Sequence, residues 1–139
     1  MSQDLQKILS FIDAHHVMSL ATYAEGELSA CNLFYAFEKQ SLCFVVASSD
    51  DTRHIEHIKK NPKVAGTIVL ETHTVGKIQG LQFRGRFEAL QKSSLEKLYF
   101  KAFPYARALM PKLWSIEVEF FKLTDNRLGF GKKILWEKG

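Results

Sequence analysis

The sequence predicts a mainly β protein in which about seven antiparallel strands close into a barrel, with three or four short helices around it. Three observations carry that expectation. Segments rich in β-forming residues alternate with turns too short for parallel crossovers. So many strands in 139 residues would leave open edges unless the sheet closes on itself. A hydrophobic content of 46% supplies one core, so residues 1–139 are expected to form a single domain.

Leu5, Ile8, Leu9 and Ile12 share one helical face, which makes Gln3 to Ala14 a helix. Val17 to Tyr23 and Leu28 to Phe37 are strands joined by a hairpin at Ala24-Glu25-Gly26-Glu27. A second turn at Lys39-Gln40 leads into a third strand, Leu42 to Ala47. With a two-residue turn, Cys43 opposes Ala36 and Cys31 faces the other side. Asp51 to Lys60 places Ile55 and Ile58 together as a short helix, with Asp50, Asp51 and Thr52 as N-caps and Asn61-Pro62 as its stop.

Val64 to Leu70 is the next strand, followed by a long one from Val75 to Leu90. Its odd positions Leu81, Phe83, Phe87 and Ala89 form an apolar face, and Gln82, Arg84 and Arg86 a polar one. Gly80 and Gly85 mark bulges or a close backbone approach. Ser93 and Glu96 stand in capping-box spacing, so a helix runs from Ser93 to Phe103 until Pro104 ends it. A short helical turn to Met110 precedes two final strands, Leu113 to Leu123 and Phe130 to Trp136, with a turn at Thr124-Asp125-Asn126 between them.

The net charge of +4 permits contact with anions, but the charges are dispersed and form no polybasic tract, which disfavours a nucleic-acid barrel. Phe34, Tyr35 and Phe37 form an aromatic cluster that suits a core or interface better than a base-stacking platform. The two cysteines sit in apolar strands as small hydrophobes, with no disulfide framework. No apolar run is long enough to span a bilayer and no leader pattern appears, so a cytoplasmic location is expected.

His54 and His57 have helical spacing without further ligands beside them, so no metal site is expected. His15-His16 at the end of the first helix is explained by the unpaired carbonyls there. No nucleophile, acid pair or nucleotide loop is present, Gly129-Phe130-Gly131 included. One segment stands out. Ser48 to His54 is a polar turn between a strand and a helix, where open backbone N–H groups and the helix dipole favour an anion. Ser49 and Thr52 add hydroxyls and Arg53 a forked cation suited to phosphate.

Leu20-Ala21-Thr22, Phe34-Tyr35, Thr52-Arg53-His54, Asn61-Pro62-Lys63-Val64-Ala65 and Gly80-Leu81-Gln82-Phe83-Arg84-Gly85 follow one another as in the pyridoxamine 5′-phosphate oxidase-like split barrels. The ending, Thr124-Asp125-Asn126 with Gly129-Phe130-Gly131-Lys132-Lys133 and Trp136, resembles the small bacterial YhbP subgroup of that superfamily. The resemblance implies an antiparallel, Greek-key-like split barrel of six to seven strands, and a homodimer with FMN at its interface. It also implies an oxidoreductase for a small substrate, with NAD(P)H as a donor, or else a non-catalytic flavin- or haem-binding sensor. By position, Ser48, Ser49, Thr52, Arg53 and His54 would hold the FMN phosphate, Gln82 the ring or ribityl chain, with Asn32, Phe34 and Lys132 as further contacts. The catalytic residues are not implied. The second strand, Ser29 to Leu33, has no basic residue, and the terminal Arg and His substrate motif is missing, so vitamin B6 oxidation is not expected.

Overall fold

The structure, a computed structural model, describes residues 2–139. Helix α1 (Gln3–Asp13) starts at Ser2, whose hydroxyl accepts from the Leu5 amide at 3.1 Å, and it buries Ile8, Leu9, Phe11 and Ile12. The chain continues through β1 (Val17–Ala24), β2 (Glu27–Glu38), β3 (Cys43–Ala47), α2 (Arg53–Lys60) and β4 (Lys63–Val69). It then forms β5 (Gln79–Ala89), α3 (Ser93–Ala102), β6 (Leu113–Asp125) and β7 (Lys133–Glu137), with 3-10 turns at Val75–Lys77, Pro104–Leu109 and Asn126–Leu128. No helix among the described residues is long and apolar enough to cross a membrane.

The strands are ordered β3-β2-β1-β4-β5-β6-β7, and β3 also pairs with β6. All pairings are antiparallel. Six strands therefore close a ring, which β7 extends from β6. The order β3-β2-β1-β4 is a Greek key, with α2 carrying the chain from one side of β1 to the other. The split-barrel fold read from the sequence is thus the fold observed.

Alternation decides which side chains fill the ring. Met18, Leu20, Phe44, Val46, Phe83, Phe87, Ile116 and Phe121 point inward and are fully or almost fully buried. Gly66 in β4 lies opposite Phe83, whose ring occupies the space where a Cβ would stand. Gly85 sits at a register shift between β5 and β6, where a Cβ would come within 2.4 Å of the Glu117 carbonyl, so the expected bulge is present there. A second, smaller core lies outside the ring, where Leu95, Tyr99 and Phe100 of α3 cover Ala36, Cys43 and Val45. That cover explains why β3 is buried on both faces.

Several local expectations are corrected. The β2–β3 connection spans four residues, 39–42, so Cys43 pairs with Glu38 and Ala36 with Val45. Lengthening the loop by an even number keeps each side chain on its face, and Cys31 still lies opposite in sense to Cys43. Lys92, not Ser93, occupies the N-cap of α3, and no capping box forms. The long fifth strand begins only at Gln79, because Val75–Lys77 closes a 3-10 turn. Ala89 at its end is exposed. β6 runs on through Asp125, and β7 starts at Lys133 instead of Phe130.

Candidate functional site

Where β3 leaves the barrel, two bonds from β6 and its approach fix the turn. The Ser48 amide donates to the Lys112 carbonyl at 3.1 Å, and Trp114 Nε1 donates to the Ser48 carbonyl at 2.9 Å. Ser48 Oγ then lies 2.7 Å from His54 Nε2. Thr52 Oγ1 donates to the Ser49 carbonyl at 2.9 Å and sits 3.4 Å from the same imidazole nitrogen. His54 is buried, and burial pushes its pKa below the usual 6.5, so the ring is neutral at pH 7. Nε2 and the Ser48 hydroxyl share one hydrogen bond, whose donor is set by the imidazole tautomer.

Thr52 occupies the N-cap of α2 but makes no side-chain cap bond; its hydroxyl donates to the Ser49 carbonyl. No side chain therefore caps the first-turn amides of α2, and they remain open to an external acceptor. Arg53, in that first turn, is exposed, and its closest carboxylate is Glu27 at 3.8 Å. The aspartates are not caps. Asp50 pairs with Lys112 at 3.0 Å and Lys59 at 3.4 Å, which neutralises its charge beside the turn.

The outer face of the barrel carries the second feature. Cross-strand register places Asn32, Ser19, Thr67, Gln82 and Lys122 in one row across β2, β1, β4, β5 and β6. The neighbouring row is Ala30, Ala21, Ala65, Arg84 and Phe120. Between the rows runs a groove of about 320 Å³ with alanines for a floor. Ser19 Oγ donates to Asn32 Oδ1 at 2.9 Å, and the Arg84 guanidinium lies 4.0 Å above the Phe120 ring. Phe34, one alternation beyond Asn32, is exposed and meets Phe103 edge-on at 5.6 Å. Tyr35 and Phe37 turn inward to pack on Phe44, so the three aromatics form no common platform.

Thus Ser48, Thr52 and His54 are brought into contact, with Ser49 and Arg53 on the same turn. Gln82 and Asn32 share the outer row, and no residue of the turn lines the groove. Lys132 is elsewhere. Its carbonyl accepts from the Asp125 amide at 3.0 Å, at the end of β6 away from Leu113, and about 40 Å of extended strand separates those ends. His54 and His57 serve different hydroxyls, His57 Nδ1 lying 2.8 Å from buried Thr22 Oγ1. Among the described residues, no group of three or more His, Cys, Asp or Glu could hold a metal ion. Sequence reasoning missed Ser19, Thr67 and Phe120 in the groove and Lys122 beside Gln82, although their alternation with buried neighbours marks them as outward.

Residues 5–124 match the family described as pyridoxamine 5′-phosphate oxidase. The UPF0306 protein YhbP of Escherichia fergusonii is 37% identical over 137 residues, covering 96% of this chain and 93% of its own. Among solved structures, a heme binding protein from Mycobacterium smegmatis superposes on 99% of this chain with a TM-score of 0.82 at 16% identity. This chain spans 59% of that protein. A FAD-binding protein from Mesorhizobium loti matches 85% of this chain and 90% of its own, with a TM-score of 0.72 at 16% identity. At these identities the structural likeness concerns the fold alone.

Proposed function

The chain belongs to the pyridoxamine 5′-phosphate oxidase family and, within it, to the YhbP group, and from that premise we propose an FMN-binding oxidoreductase that acts on a small substrate as a homodimer. The observation that carries this reading is the uncapped first turn of α2, ringed by Ser48, Thr52 and Arg53, with the Asp50 charge taken up by Lys59 and Lys112. A phosphate monoester matches those donors in charge and in hydrogen-bond sense.

In this reading the α2 amides, Ser48, Ser49, Thr52 and Arg53 hold the phosphate, and His54 orients the Ser48 hydroxyl. Gln82 and its row, Asn32 included, offer amides and hydroxyls to the polar edge of a flat ring, with Phe34 at the margin. The alanine floor lets a planar group lie close to the sheet. When bound, the flavin supplies the electron transfer, so the protein needs no nucleophile or acid pair. The homodimer is supported by the exposed apolar residues Val17, Tyr23, Leu28, Phe34 and Val69 on β1, β2 and β4. Lys132 joins such a site only as a residue of the second protomer.

Titration of the purified protein with FMN, followed by absorbance and flavin fluorescence, tests the reading. Arg53→Ala is expected to weaken binding by about 1–3 kcal/mol, which is about fivefold to 150-fold. Wild-type protein that takes up no FMN, or Arg53→Ala with unchanged affinity, refutes the phosphate assignment. Bleaching of the bound flavin by NADH or NADPH separates an oxidoreductase from a carrier that holds flavin without turnover.

A further inference from the structure

The largest cavity, about 800 Å³, lies between α1 and the Asp125 end of β6, apart from both the turn and the groove. It is an open cleft with a polar rim over an apolar base. Buried Phe11 and Leu123 form the base, and exposed Gln6, Lys7, Ser10 and Arg127 stand at the rim. Its volume suits a small organic molecule.

One side of that rim is built around a buried charge. Asp125 is only 4% exposed, and a carboxylate so placed is costly unless donors answer its oxygens. Arg127 answers them three times, from its amide at 3.0 Å, Nε at 3.1 Å and Nη2 at 2.9 Å. Nη2 also donates to Gln79 Oε1 at 3.1 Å. The guanidinium is therefore fixed in place, while Nη1 has no partner among the described residues and keeps its two N–H donors. A held guanidinium with an open edge is preorganised for an anion.

Lys7 is the second cation at this rim, and among the described residues it forms no ion pair. Hydrogen bonds from Arg127 hold the Asp125 carboxyl below the usual range, and the Lys7 charge acts in the same sense. Both cations thus converge on one end of the cleft. Two cations, Lys7 and Arg127, against one carboxylate, Asp125, leave one net positive charge, which suits a monoanion better than a dianionic phosphate.

We propose that this cleft binds a small organic monocarboxylate, its carboxylate between Arg127 Nη1 and Lys7 Nζ and its apolar body over Phe11 and Leu123. Gln6 and Ser10 at the rim are suited to polar substituents on that body. The inference goes beyond the FMN reading and does not rest on it, since the cleft shares no residue with the turn or the groove.

The test is an amide-resolved NMR titration of the full chain with 3-phenylpropanoate, octanoate and 3-phenylpropanamide, the last a neutral match for the first. Both carboxylates are expected to give saturable shifts at the amides of 6–11 and 125–128, and none at 48–54. The neutral amide should bind about tenfold more weakly or worse. Lys7→Gln should weaken carboxylate binding by about threefold to tenfold, the modest size reflecting solvent screening at an exposed lysine. Ser10→Trp, which fills the cleft from an exposed position, should abolish the shifts while its circular dichroism stays that of wild type. The proposal is overturned if neither carboxylate gives saturable shifts, or if the shifts centre on Gln82 instead. Equal affinity for acid and amide, or unaltered binding in Lys7→Gln or Ser10→Trp, overturns it as well.

Discussion

Gly66→Ala is the sharpest perturbation the fold offers. An alanine Cβ there would stand 2.2, 2.6 and 2.9 Å from three atoms of the Phe83 ring. Carbon atoms rest at about 3.5–4.0 Å, so the closest contact must open by more than about 1 Å. The ring cannot retreat easily. Phe83 is only 1% exposed, and the Phe44 ring is packed against it at 4.7 Å. Either the rings repack off their preferred rotamers or β4 separates from β5, and overpacking of this kind costs about 1–3 kcal/mol. Given the size of the overlap, the expected loss is near the upper end, about 3 kcal/mol. At roughly 4 °C per kcal/mol for a domain of this size, Tm should fall by about 10 °C.

Urea and thermal unfolding followed by circular dichroism measure this directly. Phe83→Leu alone leaves a cavity and should cost about 1–2 kcal/mol. In the double variant the smaller side chain admits the new methyl, so the combined loss should fall short of the sum by about 1 kcal/mol or more. A Gly66→Ala protein within about 0.5 kcal/mol of wild type, or strictly additive losses, would refute the argument that Gly66 exists to seat Phe83. Gly66 and Phe83 both border the outer groove, so a strained β4–β5 pair should also disturb ligand binding at Gln82.

Three further outcomes follow from the same geometry. His54 resists protonation when folded but titrates at its usual 6.5 when unfolded, so its contribution is complete above that pH and is lost as pH falls through the folded value; His54→Gln should flatten this part of the stability-against-pH curve, and an unchanged slope would reject the buried neutral ring. Trp114→Phe removes the bond to the Ser48 carbonyl and should cost about 1 kcal/mol in urea unfolding, with weaker FMN binding although no charge has changed. Asp125→Asn, at a carboxylate that accepts from the Arg127 amide, Nε and Nη2, should lose about 1–2 kcal/mol and shift amide exchange at the β6–β7 turn, whereas unaltered exchange would make that network incidental.

Much of the barrel was legible in the chain because strand and helix periods are local. The inward set Leu81, Phe83 and Phe87 follows from alternation, as does the outward placement of Gln82 and Arg84. The hairpin at Glu25-Gly26 follows from the glycine, which takes the left-handed backbone freely at φ 81° while Glu25 is carried into the same region at 52°. Reading failed where a local signal had a distant competitor. Asp50 has the chemistry of a helix cap, yet Lys112, 62 residues away, comes within 3.0 Å and takes it. Thr52 sits at the N-cap of α2, yet its hydroxyl makes no cap bond and turns to the Ser49 carbonyl.

The sequence by itself determined the order of the elements, the face each side chain presents and a polar turn chemically suited to an anion. These depend on interactions within a few residues, where backbone geometry leaves few options. Tertiary structure decided the rest. Pairing of β3 with β6 closes the ring between segments some 70 residues apart, and pairing of β6 with β5 sets Lys122 and Phe120 beside Gln82 and Arg84. It likewise placed Lys132 at the opposite end of β6 from the turn, and His15 at the edge of a cavity that neither α1 nor the strands form alone. Such neighbours are selected by loop lengths, register and the packing of rings such as Phe83 on Gly66, none of which is encoded in any single stretch of the chain.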